Sequence, residues 1–250
     1  MNNWPELNNP PVEEAVLDFR FVLPNSTGEK EITLFYERIR NRFPTKKERV
    51  QLNLSGKITP PADNQKNTFE ATHKNDGIIL NSADQKTAIQ LSSNFFSYHI
   101  IKPYRNWPAI LEESRSAWGL FLECCSEVKL SRVTLRYINR ISVPNENEEL
   151  NPSRYLKLIP SIPNNLQHHL DNYFMQISMA NEDKTIKAIV NETIQKKSNG
   201  LIDIIFDIET FKVIDKLGNS QEIWDDIVKL REFKNNIFFT SITEETQSKF

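Results

Sequence analysis

Apolar and polar residues alternate without a break over residues 133–141, VTLRYINRI. Val133, Leu135, Tyr137, Asn139 and Ile141 fall on one side, and Thr134, Arg136, Ile138 and Arg140 on the other. A period of two is the mark of a β-strand, and the pattern predicts a long, central one over 129–143. The same period over 12–23, VEEAVLDFRFVL, predicts a first strand with Ala15, Leu17, Phe19 and Phe21 on one face. Between them the spacing of Ile32, Phe35, Tyr36, Ile39 and Phe43 predicts a helix over 31–43, ended by Pro44. Short strands are predicted over 50–58, 68–74, 77–82, 87–92 and 95–102. Asn75-Asp76-Gly77 reads as a hairpin turn, because Asp-Gly tolerates positive φ. Asn106 then caps a long helix with Pro108 in its first turn, and Trp107, Ile110, Leu111, Trp118 and Phe121 form its apolar stripe.

After the 129–143 strand, short helices are predicted over 152–159 and 163–170, and strands over 172–179, 185–195 and 201–208. A helix over 221–238 follows, striped by Ile223, Trp224, Ile227, Leu230 and Ile237. Ser241-Ile242-Thr243-Glu244 reads as a capping box opening a last short helix. Both halves therefore run strand, helix, antiparallel strands, long Trp-led helix. The expected fold class is α+β: a duplicated, helix-grip-like unit in which each antiparallel sheet is covered by its long helix. The repeats would be residues 1–126 and 127–250, packed as one body since no Gly-, Ser- or Pro-rich linker separates them. VTLRYINRI would be the counterpart of EAVLDFRF and the first strand of the second repeat.

At 250 residues, 38% hydrophobic and 26% charged, the chain is long enough for a sizeable core. No run approaches the roughly 18 apolar residues of a membrane span. MNNWPELNNPPVEEAV has neither the basic start nor the apolar core of a secretory signal, so a cytoplasmic location is expected. A net charge of −2 argues against nucleic acid, which is held through a basic excess. Lys46-Lys47-Glu48-Arg49 and Lys196-Lys197 read as solvated loop or turn ends.

The segments PPVEEAVLDFRF (10–21), LRYINRI (135–141) and SITEETQSKF (241–250) together resemble a sporadically distributed, functionally uncharacterised prokaryotic family of about this length. The resemblance spans nearly the whole chain and assigns no catalytic residue. Patchy distribution of that kind implies mobile genes, among them antiviral-defence and toxin–antitoxin modules.

The usual chemical signatures are missing. The 6 glycines are not clustered into a phosphate loop, and no His-Glu-x-x-His or Gly-x-Ser-x-Gly occurs. Adjacent Cys124 and Cys125 read as buried thiols at a helix end, and His168-His169 would point about 100° apart on a helix, which makes them poor co-ligands. Asp183, Asp225-Asp226 and Glu244-Glu245 read as acids stabilising turns and helix starts. No metal or cofactor is called for. The candidate binding residues are Arg136, Tyr137, Asn139 and Arg140. Their structural reading pairs Arg136 and Arg140 with Glu14 and Asp18 of the first strand, and bonds Asn139 to backbone across the seam between repeats. Their functional reading is an anion- or carboxylate-binding groove.

The balance favours a non-enzymatic interaction protein whose partner is another protein, one encoded by a neighbouring gene, with self-association left open. The alternative is a small anionic-ligand binding protein or enzyme. It calls for a sizeable pocket between helices and sheet, lined by Tyr137, Arg136 or Trp118.

Overall fold

A computed structural model of the chain describes residues 4–23, 28–57, 68–125, 127–144, 151–163, 165, 172–196 and 200–250, with the backbone alone at 29, 51–57, 68–75 and 196. Nine strands form one antiparallel sheet: β1 (Val12–Val22), β2 (Thr45–Lys57), β3 (Thr68–Asn81), β4 (Thr87–Leu91), β5 (Phe95–Ile101), β6 (Lys129–Pro144), β7 (Phe174–Ala180), β8 (Lys187–Lys196) and β9 (Leu201–Leu217). Their order is β2-β3-β4-β5-β1-β6-β9-β8-β7. Where the sequence led us to expect two sheets, the first strand of each half pairs antiparallel with the other, Leu17 opposite Leu135 and Ala15 opposite Tyr137, and merges them into one. The last strand of each half, β5 and β9, lies on the far side of its own first strand.

The described residues form four α-helices, α1 (Glu29–Ile39), α2 (Trp107–Cys124), α3 (Glu222–Ser241) and the short α4 (Glu244–Gln247), and the first three bury their apolar stripes in the core on one face of the sheet. Alternation explains why. The inward set of β1 is Ala15, Leu17, Phe19 and Phe21, all at most 2% exposed. Phe19 stacks on Trp118 of α2 (ring centroids 4.3 Å apart) and meets the edge of Trp224 of α3 at 5.9 Å. Phe35 of α1 meets Phe96 and Phe121 edge-on. Burying side chains of this size stabilises by about 1.5–3 kcal/mol each. The core falls into two clusters, one beneath α1, α2 and the start of α3, the other beneath the end of α3.

Local signals set the helix ends. Asn106 Oδ1 accepts from the Ala109 amide at 3.0 Å; at α4 the cap is Thr243, whose Oγ1 accepts from the Thr246 amide at 3.3 Å, and not the expected Ser241, which ends α3. Asp226 departs from its expected role. It is buried, and it accepts from Lys212 at 2.6 Å and Lys216 at 3.1 Å, tying α3 to β9.

Other expectations change as well. Asp76-Gly77 is no hairpin turn: β3 runs straight through it, opposite an irregularity between Glu48 and Val50 of β2. Gly77 sits at φ +130°, and a Cβ there would lie 2.0 Å from the Leu91 carbonyl oxygen. The glycine therefore serves a close strand approach. Lys46 to Arg49 belong to β2 rather than a loop. β9 continues to Leu217, well past the predicted end. Only a single turn of 3-10 helix, Pro152–Arg154, forms in 152–159. Nearly all of 163–170, with His168 and His169, lies outside the described residues, as does Lys197. Among the described residues no helix is long and apolar enough to cross a membrane.

Candidate functional site

Strand β6 sends its candidate residues to opposite faces of the sheet. Arg136 and Arg140 point to the face that no described helix covers. Both have a carboxylate partner, but it comes from β9 and not from Glu14 or Asp18. Arg136 donates through Nε and Nη2 to both oxygens of Asp207, at 2.8 and 2.7 Å. Arg140 donates to Asp203 at 2.5 Å and lies 3.6 Å from Glu13. Arg132 completes a ladder of three rungs by pairing with Glu209. The register explains the choice. β6 lies between β1 and β9, and β9 reads LIDIIFDIET, with acids at 203, 207 and 209 on its outward side. Glu14 instead accepts from His99 at 2.7 Å, a bond that holds its carboxyl below the usual range. Asp18 is bonded to Arg20, yet burial pushes its carboxyl up. The forks of Arg136 and Arg140 are thus already occupied by carboxylates of the chain itself.

Tyr137 and Asn139 point the other way, under the helices. Asn139, 3% exposed, donates to the Phe206 carbonyl of β9 at 2.9 Å, not across the β1–β6 seam. Tyr137 is buried, and its hydroxyl lies 3.1 Å from that of Tyr104. Burial raises the pKa of both phenols, so both stay protonated. Here the two core clusters meet, and the apolar packing is interrupted by a cavity of about 540 Å³. Its floor is Tyr137 and Asn139, and its walls are α3 and the start of α2. Residues 4–12 cross its mouth, pinned by Asn9 N to the Phe250 carbonyl at 2.7 Å and by Arg140 N to the Pro11 carbonyl at 2.8 Å. Trp4 in this strap stacks on Phe239 of α3, 5.3 Å between centroids. Trp118, the third residue expected to line a pocket, lies in the core.

The residue that gives the cavity its character is one that the apolar pattern of the chain did not mark. Lys234 of α3 is only 8% exposed and lines the cavity, its Nζ 3.9 Å above the centre of the Tyr137 ring. No described residue offers it a hydrogen bond or a carboxylate. Burial, and then the nearby Arg231 charge, pull its pKa down to about 7. Asn235 beside it, 5% exposed, also makes no hydrogen bond with a described residue. Arg231, one turn earlier, lies over the Trp107 ring at 5.2 Å and has no ion pair among the described residues. Arg105 on the rim is neutralised by two 2.6 Å bonds to Glu113, and the one acid of the lining, Glu6, is exposed. The cavity therefore carries net positive charge among aromatic rings. A signal existed: Lys234 occupies a core position in the stripe Ile223, Ile227, Leu230, Lys234, Ile237.

A neighbouring space of about 560 Å³, on the other side of Trp4, is less suited to a ligand. Lys229 and Asn236 there are exposed, and Lys212 is paired with Asp226. Cys125 is buried with its thiol pushed up to about 12, which leaves it inert. No cluster of three His, Cys, Asp or Glu suited to a metal occurs among the described residues. Comparison with protein-family models and with curated proteins finds no match.

Proposed function

We propose that the protein binds a small organic anion in the cavity between β6, α3 and the N-terminal strap. The observation that carries this reading is Lys234, a buried amine-bearing side chain with no acid opposite it among the described residues. A lysine that buries nearly all of its side chain, yet brings its amine to a cavity without a carboxylate among the described residues, is placed to meet an anion. Arg231, which has no ion pair among the described residues, supplies a second cation with a fork that fits a carboxylate or phosphate. Tyr104, Tyr137 and Asn235 supply neutral hydrogen-bonding groups, and Trp4, Trp107 and Phe238 supply flat apolar walls. A volume of about 540 Å³ falls within the range of metabolite-sized sites. A thermal-shift screen of 2-oxo acids, dicarboxylates, sugar phosphates and nucleotides tests it. At least one should raise the melting temperature of the wild type and not of Arg231→Ala. A ligand at roughly a hundred times its Kd stabilises by about 2.7 kcal/mol, which is readily detected. No shift across the set, or equal shifts in both proteins, would remove the proposal.

A second reading assigns a protein partner to the outer face of the sheet. It is supported by the absence of any described helix there, and by half-buried Val16, Ile138, Ile189 and Ile205 lying between the charged rungs. Ile138→Asp should abolish capture of such a partner while leaving the melting temperature within a few degrees of wild type.

The proposal extends to the origin of the fold. We read the chain as two copies of one strand–strands–helix unit. The reading is supported by the inverted strand order on either side of the β1–β6 seam and by α2 and α3, each following the last strand of its half.

A further inference from the structure

We propose that Lys234 is a nucleophile that forms an imine with the ligand, and that the ligand is therefore a small carbonyl compound bearing a carboxylate or phosphate. The inference rests on reading the cavity as a ligand site and names the chemistry of that ligand. Three observations support it. The Lys234 amine borders a cavity of about 540 Å³ and has no described hydrogen-bond partner or counter-charge to occupy its lone pair or hold its proton. Its pKa of about 7 leaves a large fraction as free base at neutral pH, the form that attacks carbonyl carbon. The Tyr137 ring lies 3.9 Å beneath it, where a protonated imine, itself a cation, would be held by the face of the ring.

The surroundings provide for the remaining steps. Attack by the Nζ lone pair forms the C–N bond as the carbonyl π electrons move to oxygen. Nitrogen gives up a proton and oxygen takes one, giving a carbinolamine. A further proton on that hydroxyl lets it leave as water while the nitrogen lone pair closes the C=N bond. No oxidant or reductant is consumed. The Tyr104–Tyr137 hydroxyl pair, 3.1 Å apart, has one hydrogen committed between them and one left to donate, which suits it to hydrogen-bond the departing oxygen while water supplies the proton. Arg231, three residues before Lys234 and on the same side of α3, would anchor the anionic end.

The test is reductive trapping on the intact protein. Pyruvate supplies a 2-oxo acid and pyridoxal phosphate an aldehyde with a phosphate, each with cyanoborohydride, followed by intact-mass measurement and peptide mapping. We expect one adduct per chain. Lys234 should react at least tenfold faster than Lys229, the exposed lysine of the same helix, and the fast adduct should be absent from Lys234→Met. Arg231→Ala should slow labelling by about tenfold with the anionic probes and leave it unchanged with neutral propanal. Whichever of the two anionic probes labels selectively identifies carboxylate or phosphate as the anchored group. Lactate and pyridoxine phosphate, which cannot form an imine, are titrated by calorimetry alongside. If they bind and Lys234 is not trapped, the imine is overturned and the ligand site stands. If nothing binds and adducts spread evenly over surface lysines, both are overturned. Because the selectivity is read within the wild-type protein, misfolding of a variant does not obscure the result.

Discussion

Lys234→Met should make the protein more stable, the opposite of what removing a buried side chain usually does. Methionine keeps most of the length and apolar stem of lysine, so the packing against Tyr137 and Phe238 survives. What disappears is the penalty of placing an amine on a largely buried side chain with no carboxylate opposite it among the described residues. Lysine ordinarily titrates at 10.5, and here burial, then the Arg231 charge, bring it to about 7. At about 1.4 kcal/mol for each tenfold change in proton affinity, that fall corresponds to roughly 5 kcal/mol at neutral pH and below. Water in the cavity relieves part of it, and about 2–3 kcal/mol is the expected gain. For a chain of this size that raises the melting temperature by roughly 5–10 °C. The sign has a pH signature. Between pH 7 and 10.5 the unfolded chain holds a proton on this lysine that the folded chain does not. Wild-type stability should therefore rise with pH across that window, and the gain from methionine should fade as pH approaches 10.5. The other titratable or charged groups lining the cavity are Arg231 on α3, Tyr137 on β6, Tyr104 and the Glu113-paired Arg105 ahead of α2, and Glu6 on the rim. Both phenols stay protonated over most of this window. Urea denaturation at pH 7.0 and 9.5 reads the effect. A variant less stable than wild type at pH 7, or a difference that does not change with pH, would show that Lys234 holds a compensated charge and refute the reasoning.

Further outcomes follow from the same structure. Glu192 on β8 is fully buried, one of its oxygens is unpartnered, and burial pushes its carboxyl up to about 7 despite the hydrogen bond from Tyr173. Its stability contribution is lost as pH rises from 4.5 to 7, so Glu192→Gln should stabilise by about 1–2 kcal/mol at pH 8 and by nothing at pH 4.5, measured in urea. Arg136→Met leaves Asp207, 7% exposed, without its two-pronged partner and should destabilise by about 1–2 kcal/mol. A double-mutant cycle with Asp207→Asn should recover most of that loss, whereas simple additivity would show the pair to be decorative. Gly77→Ala forces a Cβ onto the Leu91 carbonyl at a φ that suits glycine. It should lower stability by roughly 2–3 kcal/mol, and an unchanged melting temperature would mean that the strands separate there at no expense.

What the sequence revealed followed the range of the interaction concerned. The alternation in β6 placed Val133, Leu135, Tyr137 and Ile141 inward, and all four are at most 1% exposed. The Asn106 cap and the α3 stripe were equally legible, because caps and stripes are decided within a turn or two of helix. The partners of Arg136 and Arg140 were not, since they depend on which strand lies beside β6, and those partners on β9 are 71 and 63 residues away in the chain. The regular acids of LIDIIFDIET carried that information, but only a pairing of β6 with β9 reveals it. Asp76-Gly77 misled because its local turn preference yields to the pairing of β3 with β2 and β4. The cavity was legible in half. Asn139 stood out as an amide in an apolar strand and Tyr137 as a pocket-lining residue, whereas Lys234 was hidden by its type, since a lysine in a stripe is easily read as one that reaches out to solvent.

The most direct measurement of the central claim is a crystal structure of the protein soaked with the anion that gives the largest thermal shift. The account predicts density in the cavity, with the anionic group against the Arg231 guanidinium and the body of the ligand between Tyr137 and Trp107 within reach of Lys234 Nζ. A ligand bound elsewhere, or a cavity filled by its own side chains with Lys234 turned out to solvent, would contradict it.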